Sequence, residues 1–310
     1  MKVRTFVAAL VCAAAGGGQL AAAAAPQRQD RDPVFSPDGR TLAFVRSTGS
    51  TGRVEVVATS GRGHRALTPP QPAPYGITWS PDGSALAYSS GGAIWRVDAD
   101  GAGLRRLTDT ATANRQPAWS PEGGLIAFTA TEGCGYRCYR VFAIAPDGTG
   151  QRQLAVSARR ASWSPDGTRF ADSNGDVRAA SDGSVLRRIE ARGSMFTWGN
   201  SGSIAYVSGS TLGIASANGP GTRVLVNTRR DPVNQPAWSH DVQRIAFAVG
   251  RWLAVTNMSG VWHRVAPADL ADDAPSWAPN GTIAYVERGR CGIDLILADR
   301  SHHRRLTHGC

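Results

Sequence analysis

Thr78-Trp79-Ser80-Pro81-Asp82-Gly83-Ser84-Ala85-Leu86-Ala87-Tyr88 is the stretch on which the fold turns. It reads as a strand ending at Trp79, a tight turn, and a second strand centred on Ala87. Pro81 fixes φ at the second turn position, and Gly83 takes the left-handed conformation that residues with a Cβ resist. Side chains alternate faces along a strand, so Leu86 and Tyr88 share one face and Ala87 takes the other. Large residues set against a small one allow two such units to stack closely.

The same unit recurs along the chain. Close copies are Val34-Phe35-Ser36-Pro37-Asp38-Gly39, Ala118-Trp119-Ser120-Pro121-Glu122-Gly123 and Ser162-Trp163-Ser164-Pro165-Asp166-Gly167. Diverged copies are Thr197-Trp198-Gly199-Asn200-Ser201-Gly202, Ala237-Trp238-Ser239-His240-Asp241-Val242 and Ser276-Trp277-Ala278-Pro279-Asn280-Gly281. The aromatic steps by 44, 40, 44, 35, 40 and 39 residues. A period near 40 with several strands per unit is the signature of propeller blades. Each second strand carries an alanine: Ala43, Ala87, Ala127, Ala171, Ala205, Ala246 and Ala284. An apolar third strand, a second tight turn such as Asp98-Ala99-Asp100-Gly101, and an arginine-bearing fourth strand such as Arg105-Arg106-Leu107-Thr108 complete each unit. The expectation is an all-β chain forming a single seven-bladed β-propeller of four-stranded antiparallel blades. Blade 4 is irregular, with Asp172 where its siblings carry an aromatic.

These W-S-P-D-G, I-A-[FY], D-x-D-G and R-x-L-T runs resemble the repeat of the TolB-like, WD-like propeller family, over residues 33–307. The resemblance implies a propeller and stops there. TolB itself carries an α/β domain before its blades, whereas here a few residues separate the expected leader from blade 1. The Tol–Pal role is therefore not carried over.

Residues 1–25 read as a signal peptide. Met1-Lys2-Val3-Arg4 is a basic start, residues 5–15 are apolar, and small residues 21–25 provide a cleavage site near Ala24 or Ala25. Gly16-Gly17-Gly18-Gln19 breaks the apolar run well short of the roughly 20 residues that span a bilayer. Cys12 follows Ala9-Leu10-Val11, which lacks the small residue that lipoprotein processing wants beside the cysteine, so an inert cysteine is the expectation. Residues 26–310 form the propeller, and the localisation expected is extracytoplasmic: secreted, periplasmic or in the cell envelope.

The chain of 310 residues is 42% hydrophobic and 19% charged, which excludes a disordered chain. Its net charge of +10 is almost wholly arginine, since Lys2 is the only lysine. Arginines on outermost strands admit two readings: a belt attracting anionic envelope polymers, or charges that prevent edge-to-edge strand pairing. Nucleic acid is not expected as the partner of an exported chain. The expected partners are an envelope protein or an anionic polysaccharide, met by a monomer with no transmembrane segment.

The long, variable B–C and D–A segments share one face of a propeller, and binding residues gather on loops held by a rigid scaffold. Arg115, Gln116, Arg160, Asn234, Gln235 and Asp273 are the candidate ligand-binding residues there, set against a reading as ordinary solvated loop residues. No G-x-S-x-G elbow, H-E-x-x-H or Walker loop occurs. No catalytic residue, cofactor or metal ligand is assigned; His302, His303, His308 and Cys310 read as a polar terminal strand. The function expected is a non-catalytic binding or protein-interaction scaffold. Its rival is a propeller enzyme acting on carbohydrate, resembling oligogalacturonate lyases, in which scattered loop His, Arg and Gln residues serve. Two or more histidines at the channel mouth would favour the rival.

Four cysteines lie beyond the leader: Cys134, Cys138, Cys291 and Cys310. An even number in an exported chain favours disulfides over free thiols. Cys291 precedes the third strand of blade 7 and Cys310 follows its fourth, positions that antiparallel pairing makes neighbours within disulfide reach. Cys134–Cys138 would be a separate clip in a blade 3 loop. A Cys291–Cys310 bridge closing about 20 residues is worth roughly 3 kcal/mol if unstrained. Non-reducing peptide mapping of protein from its native compartment should recover both linked pairs; free Cys291 and Cys310 would refute the closing bridge.

Overall fold

The computed structural model describes residues 28–131, 138–191, 193–199, 202–268, 273–287, 293–297 and 302–307. They form seven sheets, each an antiparallel meander of four strands in chain order. The blades run 28–66, 75–106, 115–156, 162–188, 195–227, 233–267 and 276–305. Blade 5 is representative, with strands A to D at Met195–Trp198, Ser203–Ser208, Thr211–Ser216 and Thr222–Asn227. The A strands are innermost and touch around the ring, including blade 7 against blade 1. Blade 1 departs from the four-strand expectation: Gln71–Pro72 adds a short fifth strand on its third. The expected leader at 1–25 lies outside the described residues, as do Cys134, Cys291, Cys310 and His308. Cys138 is disulfide-bonded.

Seven apolar clusters fill the seven blade boundaries, and the strand-B alternation builds them. Ala43 packs with Trp79, Leu86 and Tyr88 of blade 2, while its neighbours Leu42 and Phe44 pack with Ala284 and Val286 of blade 7. Ala127 meets Trp163 and Phe170 of blade 4, and Ala246 meets Trp277, Ile283 and Tyr285 of blade 7. None of the seven alanines is more than 1% exposed. Every blade thus shows its small residue to the next and its large residues to the one before.

Polar contacts repeat at the same boundaries. On the inner strands, the indole N–H of Trp79, Trp163, Trp238 and Trp277 donates to a main-chain carbonyl of the preceding blade, at 3.1, 2.9, 2.9 and 3.0 Å. On the outer strands the arginines do something that neither sequence reading contains. Arg65 donates to the carbonyl of Asp100, Arg105 to Pro146, Arg152 to Ser181, Arg187 to Ser216 and Arg223 to Met258, at 2.5–2.9 Å. Each acceptor lies in the C–D turn of the following blade or, for Ser216, at the last residue of its strand C. Arg304 of blade 7 reaches Thr59 and Ser60 of blade 1 in the same way. The arginines are blade-to-blade clamps, whatever else their charge does.

That seam has further ties. Phe35 N–H donates to Ser276 Oγ and Asp32 N–H to Asp273 Oδ1, both at 3.1 Å. At Gly39 (φ 70°) a Cβ would lie 2.6 Å from Pro279 of blade 7, so both conformation and close approach demand glycine. The A–B turns are braced from within as well. Ser80 Oγ–H and Ser84 N–H donate to Asp82 at 2.5 and 3.0 Å, and these bonds hold its carboxyl down at about 2.

Blade 4 accommodates its buried Asp172 with partners instead of packing. Asp172 accepts from Arg178 Nε at 2.7 Å and from the Asn174 N–H at 2.8 Å. Arg178 also bonds Asp176, which Arg188 holds at 2.7 Å. Burial nevertheless pushes the Asp172 carboxyl above its ordinary range, against the pull of Arg178.

Ala127→Leu or Ala246→Leu should overpack a filled boundary and cost about 1–3 kcal/mol. Thermal and denaturant unfolding measure this directly, and a variant as stable as the parent would contradict the packing described.

Candidate functional site

Three residues before the repeated aromatic, each inner strand reaches the rim of the channel. The seven positions are Asp32, Gly76, Gln116, Arg160, Met195, Gln235 and Ala274. Five take the left-handed conformation: Asp32 (φ 58°), Gly76 (66°), Gln116 (53°), Arg160 (55°) and Gln235 (51°). Only Gly76 does so without a steric cost. In blades 1, 2, 3 and 6 the A–B register shifts at this point, the mark of a β-bulge. A bulge re-aims one side chain and bends the strand, and such strain concentrates at binding sites.

The preceding blade holds each bulge. Gln116 N–H donates to Ser89 Oγ at 3.0 Å, Arg160 N–H to Thr129 Oγ1 at 2.9 Å, and Gln235 N–H to Met195 Sδ at 3.4 Å. Asp32 N–H takes Asp273, and Gly76 N–H takes Asp32 Oδ2. A chain of side-chain acceptors thus runs beneath the rim.

The rim encloses a cavity of about 520 Å³ whose polar lining includes Arg31, Asp32, Gln116, Arg160, Gln235 and Asp273. A second space of about 590 Å³ continues down the channel past Trp198, Trp238 and Trp277, sharing Arg160, Met195 and Gln235 with the first. Of the six residues singled out in the sequence, Gln116, Arg160, Gln235 and Asp273 are brought together at the mouth. Arg115 and Asn234 are not: each pairs in register, with Thr129 and Ala248, just before the bulge. Asp32 and Tyr75 were missed. Asp32 carried a usable signal, since it stands at the same offset from Phe35 as Gln116 does from Trp119.

Arg160 is half-buried, and burial followed by repulsion from Arg159 pulls its pKa below the ordinary guanidinium value. With its amide oxygen turned toward Arg160, Gln116 accepts from Nε and Nη2, both at 3.1 Å. Tyr75 also lines the cavity, and burial pushes its hydroxyl pKa up. No histidine among the described residues lines the mouth. His64 bonds Glu55 at 2.6 Å beside the outer part of blade 1, His263 and His303 lie on fourth strands, and His240 lines the deeper channel from an A–B turn. No group of three or more His, Cys, Asp or Glu side chains that would hold a metal occurs among the described residues. No helix there is long and apolar enough to cross a membrane.

Residues 10–198 match the sequence model of the family described as the TolB beta propeller domain. A segment of 64 residues, 19% of the chain, is 39% identical to an uncharacterized peptidase, YuxL, of Bacillus subtilis (strain 168), of which it spans 9%. Among solved structures, an oligogalacturonate lyase in complex with manganese superposes with a TM-score of 0.69 at 15% identity, covering 87% of this chain and 88% of that one. TolB from Acinetobacter baumannii superposes with a TM-score of 0.53 at 15% identity, covering 89% of this chain and 62% of TolB. At such identities these structures share the fold alone.

Gln116→Gly tests whether the rim is strained for binding. Relief of the left-handed side chain, about 1–2 kcal/mol, should exceed the backbone entropy glycine adds, about 0.5–1 kcal/mol. Because the two bonds from Arg160 are lost as well, denaturant unfolding should show a stability within about 1 kcal/mol of the parent. A clear loss would mean that Gln116 is there for folding.

Proposed function

Because this chain belongs to the TolB beta propeller domain family, we propose that it is a non-catalytic binding scaffold working outside the cytoplasm. Its site is the channel mouth, and its partner an envelope protein or an envelope polymer. The observation that carries this reading is the rim itself. Four non-glycine residues there (Asp32, Gln116, Arg160 and Gln235) hold costly left-handed backbones around one cavity. Glycine would relieve that cost, as it does at Gly76. Other left-handed non-glycine residues, such as Val242 and Arg229, are scattered singly, whereas these four gather round one cavity. The leader-like residues 1–25 support export, and the protein is taken to act as a monomer.

The rival reading is an enzyme acting on carbohydrate. The whole-chain likeness in fold to an oligogalacturonate lyase favours it. The mouth's chemistry favours binding instead: none of the described histidines lines it, and Asp32 and Asp273 already accept from main-chain N–H groups.

Capture from envelope extract and a glycan array, each run with the parent protein and the Gln235→Ala variant, test the proposal. A defined partner or glycan retained by the parent and released by the variant is expected. Turnover of oligogalacturonate in the presence of manganese would overturn it in favour of the enzyme.

A further inference from the structure

The mouth is electrically two-sided. In a ring of seven, blade 4 stands opposite the junction of blades 7 and 1. Arg160 belongs to blade 4; Asp32 belongs to blade 1 and Asp273 to the segment entering blade 7. All three line the same cavity. A cation therefore faces two carboxylates across the channel; Arg31, the other charged lining residue, stands beside Asp32 but is exposed and bonded to Gln29.

Among the described residues Arg160, like Arg152 and Arg169, lacks the carboxylate partner that several other partly buried arginines have. Arg46 has Asp30 at 2.7 Å, Arg178 has Asp172 at 2.7 Å, and Arg305 has Asp294 at 3.3 Å. No carboxylate among the described residues pairs with Arg160, whose guanidinium is held by a neutral amide on its Nε and Nη2 edge. A partly buried charge without a counter-charge is costly, and an incoming carboxylate would supply one through charge-assisted hydrogen bonds. On the far wall, the Asp32 N–H and Gly76 N–H hold Asp273 and Asp32 in place. An elongated ligand that carried negative charge at both ends would set one of them against these carboxylates, and like charges across an interface reject a partner.

We propose that the mouth binds a small zwitterion, a short peptide with both ends free, with its carboxylate on Arg160 and its ammonium beside Asp32 and Asp273. The proposal rests on the preceding reading that the mouth is the binding site, and it names the ligand class. A cavity of about 520 Å³ suits a molecule of that size. It also separates the site from one built for polyuronates, which repeat a negative charge at every sugar.

Calorimetric titration of the full chain with di-, tri- and tetra-alanine tests this. Each peptide is compared with its N-acetylated and its C-amidated form. At least one free peptide should bind about ten-fold or more tightly than either blocked form, the worth of one charge-assisted hydrogen bond. Arg160→Gln should erase the discrimination against the amide while keeping that against the acetyl group. Asp273→Asn should do the reverse, with thermal melting checking that both variants fold. Equal binding of free and blocked peptides overturns the proposal. So does absence of peptide binding while the partner found by capture is still lost in Gln235→Ala; that result leaves the mouth as the binding site. If no captured partner depends on the mouth but free peptides bind as described, the ligand class stands and the envelope role fails.

Discussion

The distance at which one blade can approach the next is set by a methyl group. Each strand B places an alanine against the large side chains of the following blade, and nothing bigger fits at a position at most 1% exposed. Seven repetitions of that spacing close a ring, and a ring leaves a channel on its axis. The indole-to-carbonyl bonds of four inner strands and the arginine clamps of the outer ones then tie neighbouring blades at two radii. The mouth exists because the boundaries are narrow.

At the rim the logic changes. In most of the A–B turns local preference and global fold agree: glycine sits at the left-handed position and aspartate accepts the turn's N–H groups, Val242 of blade 6 being an exception. At the rim, Gln116, Arg160 and Gln235 adopt a conformation that disfavours their own side chains. They persist because the blade before each one supplies an acceptor for the N–H that the bulge turns out of the ladder. The scaffold thus over-determines the positions at which binding chemistry is displayed.

The propeller was legible because its signals are local and repeated. A Ser-Pro-Asp-Gly turn and the large-small-large strand after it need no distant partner to be recognised. The mouth was legible in part. The loop residues singled out near the inner strands included Gln116, Arg160, Gln235 and Asp273, but also Arg115 and Asn234, which do not line the cavity. Nothing in the sequence marks a bulge built on glutamine, nor tells which residues at the preceding position line the cavity: Arg31 and Tyr75 do, Arg115 and Asn234 do not. Asp32 was missed although Phe35 aligns with the tryptophans of the other copies. The arginine clamps were invisible for another reason: their acceptors are main-chain carbonyls one blade away, and a carbonyl leaves no letter in the sequence.

That last property has a consequence for how the outer turns can change. The clamped sites include Asp100, Pro146, Ser181, Ser216, Met258, Thr59 and Ser60, which have no residue type in common beyond three serines. A guanidinium that grips the peptide backbone is indifferent to what the residue carries. The turns on that face can accept new side chains, grafted epitopes among them, while the hoop that binds the blades stays fastened.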